Sequence, residues 1–440
     1  MSKKAEFSHL RIKKQENKLD DKTKKETRKR QIINSVLLIF TLALIYEIVR
    51  DSLRPSDFDG YVRAGNAVLN QTDIYADHLN TWPPLFSVFS VILAWFDGVS
   101  VFMTRFLWNL GSLLAMLGSI QLTVSICTNE TIQLMRKRTA SLLRNPIVLV
   151  PLVIMLRYIL DNMANVQINI YMLFCSLFTI YLFIHKKYAW AGLLLGLTIS
   201  LKVYTVFFLF YFIFKREYRI VTWTFLALVG LNLISFGVYG YEGAIANYHH
   251  WLSIGTEQAY TAIHRNQSIF AMFFRYLTTE DPEQGLYVNF MSLDPLKVRS
   301  MVYGVIVMIG LLPVVLFRKK LKNPSSFQAI MEYSIVFTVV PILTPISWKA
   351  YFIFLWVPYF LMFLVLFKNK PTVKPGALVR MKVLFFGSIL LTVFSTELVV
   401  GNYFSDVLEA YSVITIGTIM LLILQFMVLI KQDAFSMKIE

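Results

Sequence analysis

Two carboxylates next to the first apolar segment are well placed for proton transfer at a membrane surface. Asp57 and Asp59 stand in the run Ser56-Asp57-Phe58-Asp59-Gly60-Tyr61. A carboxylate at that position is able to take a proton from a hydroxyl group that attacks a substrate held by the membrane. The alternative is helix capping, because Asp is a favoured N-cap residue and stabilises the positive end of a helix.

Lys202 lies between two apolar stretches, Gly192–Leu201 and Val203–Phe214. A lysine in such a setting is costly unless it is paired or lies in a polar cavity, which makes it a functional candidate. If the two stretches form a hairpin, Lys202 lies at the outer turn, where its ammonium group is able to hold a phosphate. The alternative is a lysine at a helix end whose charge extends to the water beside the membrane.

Three further polar clusters stand at the ends of apolar segments. They contain, in order, Gln167, the run His264-Arg265-Asn266-Gln267-Ser268, and Lys349. Such amides and cations suit sugar hydroxyls and phosphates, although amides also hold membrane helices together and Asn and Ser also cap helices. The pair His249-His250 has no evident partner, and no Cys/His spacing resembles a zinc site. The sequence therefore predicts neither a metal nor a cofactor.

The elements that must position these residues are membrane helices. Hydrophobic residues make up 56% of the 440 positions, charged residues only 16%, and the mean hydropathy is +0.57. A soluble domain carries about 25% charged residues. Apolar runs recur along nearly the whole chain, which predicts an all-α, polytopic transmembrane protein with about 11–13 spans. The expected divisions are a basic tail over 1–31, one transmembrane domain over 32–430, and a short C-terminal tail over 431–440.

Basic residues set the expected orientation. The net charge is +16, and residues 1–30 hold twelve Lys/Arg against five Asp/Glu. The basic tail and the other basic loops are expected in the cytoplasm, which places 50–81 and 241–299 outside. Within these outer loops, apolar stripes over 57–70 and 269–277 predict helices suited to the membrane interface. The segment 82–145 breaks this pattern, because two crossings there would leave Arg136-Lys137-Arg138 outside. One of its segments is either re-entrant or an exception to the charge rule.

The ordered motifs of this chain resemble glycosyltransferase family 87, within the C-type glycosyltransferase superfamily. The resemblance covers about residues 50–360, and it depends on the order and spacing of several short motifs. They are Ser56-Asp57-Phe58 with Tyr61 and Ala64, Asp73-Ile74-Tyr75, Trp82-Pro83-Pro84-Leu85, Asn165-Val166-Gln167-Ile168-Asn169, Ala191-Gly192 with Gly196 and Lys202, Asn266-Gln267-Ser268, and Pro345-Ile346-Ser347-Trp348.

The resemblance implies a polyprenyl-phosphate-sugar donor, an inverting transfer, and an active site facing away from the cytoplasm. The family's first-loop aspartate is assigned as the base, and Asp57 matches it, whereas Asp59 falls on a variable position and is the second choice. Members use mannose or related sugars on lipid or glycan acceptors. Three positions depart from the pattern: Val166 replaces a usual Gly, Thr205 replaces a usual Pro, and Lys349-Ala350 stands where a His often follows.

These observations predict a membrane glycosyltransferase with Asp57 as its general base. It would move a hexose or pentose from polyprenyl phosphate to a lipid or glycan acceptor at the outer face of the plasma membrane. A mannose-like sugar is the first choice. No nucleic-acid partner is expected. The candidate substrate contacts are Lys202 and Arg265 for the donor phosphate, with Gln167, Asn266, Lys349 and Tyr61. The alternatives are a transporter or flippase, although the sequence lacks the internal repeats usual in transporters, and a non-catalytic membrane partner in envelope assembly.

Overall fold

The computed structural model describes residues 41–77, 79–128, 145–259, 261–279, 286, 288–316, 321, 323–368 and 372–435, with scattered positions between 24 and 39. Most of the predicted basic tail lies outside them, as do the last five residues of the chain and Arg136-Lys137-Arg138. The chain divides into two compact units, 1–50 and 51–440. In the first unit, residues 41–50 are helical. The second unit holds the candidate site.

The second unit has no β-strand among its described residues, which confirms the predicted all-α class. Two 3₁₀ segments, Val203–Thr205 and Lys349–Leu355, lie directly before α-helices. The α-helices, in chain order, are α1 (Phe58–Leu69), α2 (Pro84–Val99), α3 (Val101–Thr128), α4 (Pro146–Ala164), α5 (Asn169–Ile184), α6 (Tyr188–Leu201), α7 (Val206–Phe214), α8 (Tyr218–Ala259), α9 (Ile269–Leu277), α10 (Pro295–Leu316), α11 (Phe327–Leu343), α12 (Trp356–Phe363), α13 (Pro375–Val393), α14 (Glu397–Val400), α15 (Asn402–Ala410) and α16 (Val413–Ile430).

Six apolar helical segments of the described chain are long enough to cross a bilayer, which confirms a multi-pass integral membrane protein. They are α3, α4, α8, the segment Lys349–Lys368, α13 and α16. Five further apolar helical segments are shorter, at 10–17 residues, and include α2, α5, α6 and α11. The predicted number of spans, about 11–13, stays a prediction.

Helix α2 begins and ends at the same end of the bundle. We call this the upper end, defined as the end where α4 finishes and α5 begins. Trp82, just before α2, packs against Tyr61 with ring centroids 4.5 Å apart. Immediately after α2, the first turns of α3 also lie at the upper end, because Asn109 Nδ2 donates to Met163 O (3.2 Å). The segment 82–99 therefore stays at the upper end of the bundle, in line with the re-entrant alternative for 82–145, although Arg136-Lys137-Arg138 lies outside the described residues.

The apolar stripe of α1 faces the protein rather than lipid. Phe58 and Tyr61 are almost completely buried. Gly65 lies so close to α2 that a Cβ atom there would stand 2.2 Å from the carbonyl oxygen of Ser90. Helix α9 behaves similarly, since Phe270 and Phe274 pack against α10. Both helices begin within a residue of the position that the pattern predicted, and both are anchored by packing inside the protein.

Helix α8 is broken at Gly240, where φ is 72°. Glycine suits this backbone region because other residues place their Cβ in conflict with the backbone there. Beyond the break the chain turns back along the upper end, where Trp251 Nε1 donates to Thr81 O (3.2 Å). On the near side of the break, Tyr239 OH donates to Pro84 O (3.2 Å). The broken helix thus holds the start of α2 in place beside the candidate site.

Candidate active site

A cavity of about 890 Å³ opens at the upper end of the bundle. It lies where α1, the α4–α5 turn, the end of α6, the segment before α9 and the start of 349–368 meet. The structure brings Asp57 and all the predicted substrate contacts to this one cavity, although the roles assigned to them stay predictions. The lining residues include Asp57, Tyr61, Gln167, Lys202, Arg265, Asn266 and Lys349.

Asp57 occupies the N-cap position of α1 but its side chain does not cap the helix. Its carboxylate instead accepts a hydrogen bond from Gln167 Nε2. Burial raises the pKa of the Asp57 carboxyl above its ordinary value, against the bond from Gln167 and the charge of Lys202, which both lower it. The capping alternative therefore does not explain Asp57. A buried carboxylate with a raised pKa is a better proton acceptor than one in water.

Gln167 is held in place by a chain of buried amides and a hydroxyl. Asn169 Nδ2 donates to Gln167 Oε1 and, over 3.1 Å, to Asn162 Oδ1. Tyr204 OH in turn donates to Asn169 Oδ1 (2.7 Å). Because each amide is fixed by the next, the Nε2 group of Gln167 is oriented toward Asp57. The amides of the α4–α5 turn thus serve both of the purposes considered for them, since they pack helices together and present Gln167 to the cavity.

Val166 has a left-handed backbone, with φ of 50°. This is the position where the resemblance expects Gly, and a β-branched residue is uncommon in that region. The conformation allows the α4–α5 turn to present Gln167 directly after it. The usual Gly is therefore explained by backbone geometry, and this chain accepts local strain to keep the same turn.

Lys202 is buried, with 6% of its surface exposed, and does not extend to the edge of the membrane. Its Nζ donates to Tyr351 OH (3.2 Å). The ring centroids of Trp82, Tyr204 and Tyr351 lie 5.1–5.9 Å from Nζ. An ammonium group has three donor positions, and the described residues accept one hydrogen bond from it. The remaining donors face a cavity that also contains Asp57, so the arrangement suits a bound anion.

Arg265 and Asn266 stand on the same short segment but have different surroundings. The Arg265 side chain is exposed and makes no hydrogen bond to the described residues, which leaves its guanidinium open to a ligand. Asn266 instead joins two loops. Its Oδ1 accepts from Ser268 N (3.1 Å) and Ser347 N (2.9 Å), and its Nδ2 donates to Pro345 O (3.1 Å). These contacts favour a positioning role for Asn266.

Lys349 already lies between two carboxylates. Its Nζ is 2.8 Å from Glu397 Oε1 and 3.0 Å from Glu409 Oε1. Glu409 is also 3.4 Å from an Nη atom of Arg157. A lysine whose charge is balanced in this way has less to offer a phosphate than Lys202 does. Lys202 is therefore the stronger candidate of the two.

Asp59 and Tyr61 serve the fold around Asp57. Asp59 forms an ion pair with Arg105 and accepts from Ser56 N (2.9 Å), so it fixes the start of α1. It does not line the cavity. Tyr61 does line it, but its ring is packed among Trp82, Phe86 and Trp108. These positions agree with the choice of Asp57 over Asp59.

Several cavity residues were not among the site residues predicted from the sequence. Tyr351 and Trp82 line the cavity beside the Lys202 ammonium, and Asp161, Glu397 and Asp406 add carboxylates to the lining. The Tyr204 ring also lies 5.9 Å from that ammonium but does not line the cavity. Trp82 was interpreted only as a residue of the membrane interface. Only Tyr204 is close to Lys202 in the sequence, so the aromatic rings that stabilise this desolvated cation come together in the fold. Glu397 and Asp406 lie beyond the motifs and had no comparable signal.

Comparison with known families gives one clear result. The model of glycosyltransferase family 87 matches residues 80–345, more than half of the chain. The chain belongs to glycosyltransferase family 87. Comparison with curated proteins and with solved structures gave no match. A family 87 member is a membrane glycosyltransferase. The matched range includes Gln167, Lys202, Arg265 and Asn266, but it includes neither Asp57 nor Lys349. The assignment of Asp57 therefore depends on its motif and on its place in the cavity.

Proposed function

We propose that this family 87 glycosyltransferase transfers a sugar from a polyprenyl-phosphate donor to a hydroxyl of a lipid or glycan acceptor. The observation that carries the proposal is the pairing of Asp57 and Lys202 in one cavity. A carboxylate held by Gln167 faces a buried ammonium group that the described residues only partly satisfy. Mannose or a related hexose or pentose is the first choice of sugar, because the family resemblance implies it.

In the proposed reaction, Asp57 takes the proton of the acceptor hydroxyl. The acceptor oxygen then forms a bond to the anomeric carbon while the bond from that carbon to the donor phosphate oxygen breaks. The polyprenyl phosphate leaves with the electron pair of the broken bond, and its added negative charge is stabilised by Lys202. This single displacement inverts the anomeric centre. It requires one base and one anion-stabilising group, both of which the cavity contains.

We further propose that the cavity faces away from the cytoplasm. Helices α3 and α5 run side by side away from the upper end, with Gly111 against Tyr171 and Gly118 against Phe174. The basic stretches near His185, Lys215 and Arg318 all follow helices that leave the upper end. Basic loops favour the cytoplasmic side of a membrane. The distribution of charge therefore supports an outer location for the upper end and for the donor.

Cysteine labelling is expected to place Thr256 outside and Asn323 inside. Both side chains are exposed. Thr256 follows Trp251, which donates to Thr81 O at the upper end, whereas Asn323 precedes α11, which leads to the cavity segment at Pro345. Single cysteines at these positions, in a background where Cys127 and Cys175 are replaced by Ala, would be treated with a membrane-impermeant thiol reagent in intact cells. We expect labelling of Thr256→Cys at once and of Asn323→Cys only after permeabilisation. The opposite pattern would place the cavity in the cytoplasm.

Transfer by the purified protein is the direct test of the function. The full-length chain in detergent would be incubated with polyprenyl-phosphate mannose, or with a related pentose donor, and a mixture of lipid acceptors, and the products would be identified by mass spectrometry. We expect a glycosylated lipid and released polyprenyl phosphate, and no transfer from a nucleotide sugar. Transfer from a nucleotide sugar without the lipid-linked donor would overturn the proposal.

A further inference from the structure

Three potential metal ligands converge beside the cavity. They are His264, on the segment before α9, with Asp406 and Glu409, which are three residues apart on α15. One ligand atom from each side chain lies within 4.8 Å of the other two. Residues three apart on a helix share a face, so α15 presents both carboxylates together. The sequence showed no such cluster, because 142 residues separate Asp406 from His264.

Buried atoms of this cluster lack hydrogen-bond partners among the described residues. His264 is 1% exposed, and neither of its ring nitrogens makes a hydrogen bond. Its Nε2 is 3.6 Å from Asp406 Oδ1, which is too long for one. Glu409 is fully buried, and its Oε2 is also without a partner. Buried polar atoms normally have partners, so three such atoms at one place are what a ligand site would offer.

We propose that His264, Asp406 and Glu409 bind a divalent transition-metal ion, Zn²⁺ or Mn²⁺, at the rim of the cavity. An imidazole nitrogen favours these ions over Mg²⁺ and Ca²⁺. The Asp406 carboxylate supplies negative charge, and Glu409 offers the oxygen that Lys349 and Arg157 do not contact. Three protein ligands leave a coordination position open, as in catalytic rather than structural zinc sites. Of the three ligand residues, Asp406 lines the cavity, so the site borders it. The proposal does not depend on the identity of the sugar donor.

The neighbouring residues support a preformed site. Gln267 Nε2 donates to the backbone carbonyl oxygens of His264 (2.6 Å) and Glu409 (2.8 Å). It therefore links the two segments that carry the proposed ligands. Lys349 and Arg157 both approach Oε1 of Glu409, at 3.0 and 3.4 Å, and leave Oε2 to the ion. Lys349 also pairs with Glu397, which reduces the repulsion between its ammonium group and the ion. Rigid support of this kind is what a metal site needs to hold its geometry.

Metal content and calorimetry would test the site. Tag-free, full-length protein in detergent would be stripped with a chelator and titrated with Zn²⁺, Mn²⁺ and, for comparison, Mg²⁺. We expect one Zn²⁺ or Mn²⁺ per chain, bound at least ten times more tightly than Mg²⁺. His264→Ala and Asp406→Asn should each weaken binding at least tenfold. The ion should also raise the thermal unfolding midpoint of the parent more than that of either variant.

A second histidine pair provides the matched control. His249 and His250 lie next to each other on α8, on the far side of the Gly240 break, so they are able to hold Zn²⁺ adventitiously. The double variant His249→Ala/His250→Ala should bind the ion as the parent does. Absence of stoichiometric binding in the parent, or full binding by Asp406→Asn, would overturn the proposal. Loss of binding in the His249/His250 variant alone would also overturn it. If His264→Ala does not fold, Asp406→Asn decides, because Asp406 is partly exposed and its replacement is nearly isosteric.

Discussion

Replacing Asp57 with asparagine is expected to slow sugar transfer about 10²–10⁴-fold, the usual effect of losing a general base. The fold should survive, because an asparagine oxygen is able to accept the same hydrogen bond from Gln167 Nε2. The measurement is the rate of product formation by purified protein at saturating donor and acceptor. Thermal unfolding of the variant in detergent should resemble that of the parent, which shows that the loss is chemical.

Asp59→Asn is the matched control for this experiment. Asp59 lies two residues away, pairs with Arg105 and accepts from Ser56 N, and does not line the cavity. Its replacement should lower thermal stability more than it lowers the rate of transfer. If Asp59→Asn is inactive while Asp57→Asn turns over normally, the base has been assigned to the wrong carboxylate.

The same prediction has a pH signature. Burial raises the pKa of Asp57 above its ordinary value, and the base must be ionised to accept a proton. Activity should therefore fall as the pH is lowered through that raised pKa, at a higher pH than an exposed aspartate would give. The residual activity of Asp57→Asn should lack this acidic limb. An unchanged pH profile in the variant would show that another group takes the proton.

Lys202→Met is expected to raise the KM for the polyprenyl-phosphate donor about 10- to 150-fold. A hydrogen bond to a charged group contributes roughly 1.5–3 kcal/mol, and each 1.4 kcal/mol is a factor of ten. The value of kcat should fall as well, because charge grows on the leaving phosphate in the transition state. Lys202→Arg should retain part of the affinity, since the charge survives while its geometry changes. Initial rates over a range of donor concentrations would measure both effects.

A second buried lysine provides the control for Lys202. Lys215 donates to Glu332 Oε1 (2.7 Å) at the opposite end of the bundle, so its charge is already balanced. Lys215→Met should lower the thermal unfolding temperature, because it leaves Glu332 buried without its counter-ion, and should leave the donor KM unchanged. Lys202→Met should raise the donor KM and leave the thermal unfolding temperature nearly unchanged. If Lys202→Met binds and turns over the donor like the parent, the phosphate is held elsewhere, and Arg265 becomes the first residue to test.

Much of this architecture could be predicted because membrane helices depend on local sequence. The apolar runs predicted the all-α class and the positions of most helices. Ser268 was recognised as a residue that suits a helix start, and it does cap α9 by accepting from Ala271 N (3.1 Å). Composition and helix capping act over a few residues, so a single sequence is enough to detect them.

The contacts that define the cavity could not be predicted in the same way. The bond from Gln167 to Asp57 joins positions 110 residues apart, and no spacing rule predicts such a pair. Lys349 was a candidate substrate contact in the sequence, yet Glu397 and Glu409 balance its charge across the fold. Only the order of the family motifs indicated that these residues share one site. Their partners, and hence the difference between Lys202 and Lys349, required the three-dimensional structure.

The same-side placement of α2 has a consequence for how the chain is made. Its 16 residues span about 24 Å, less than the roughly 30 Å of a bilayer core, so its own length does not secure a transmembrane position. What holds it is packing on Gly65 of α1 and the hydrogen bond from Tyr239 of α8. Tyr239 leaves the ribosome 155 residues after Pro84. The contact with Gly65 is available as soon as α2 is made, whereas the hydrogen bond that fixes its start forms only after a further 155 residues have been added.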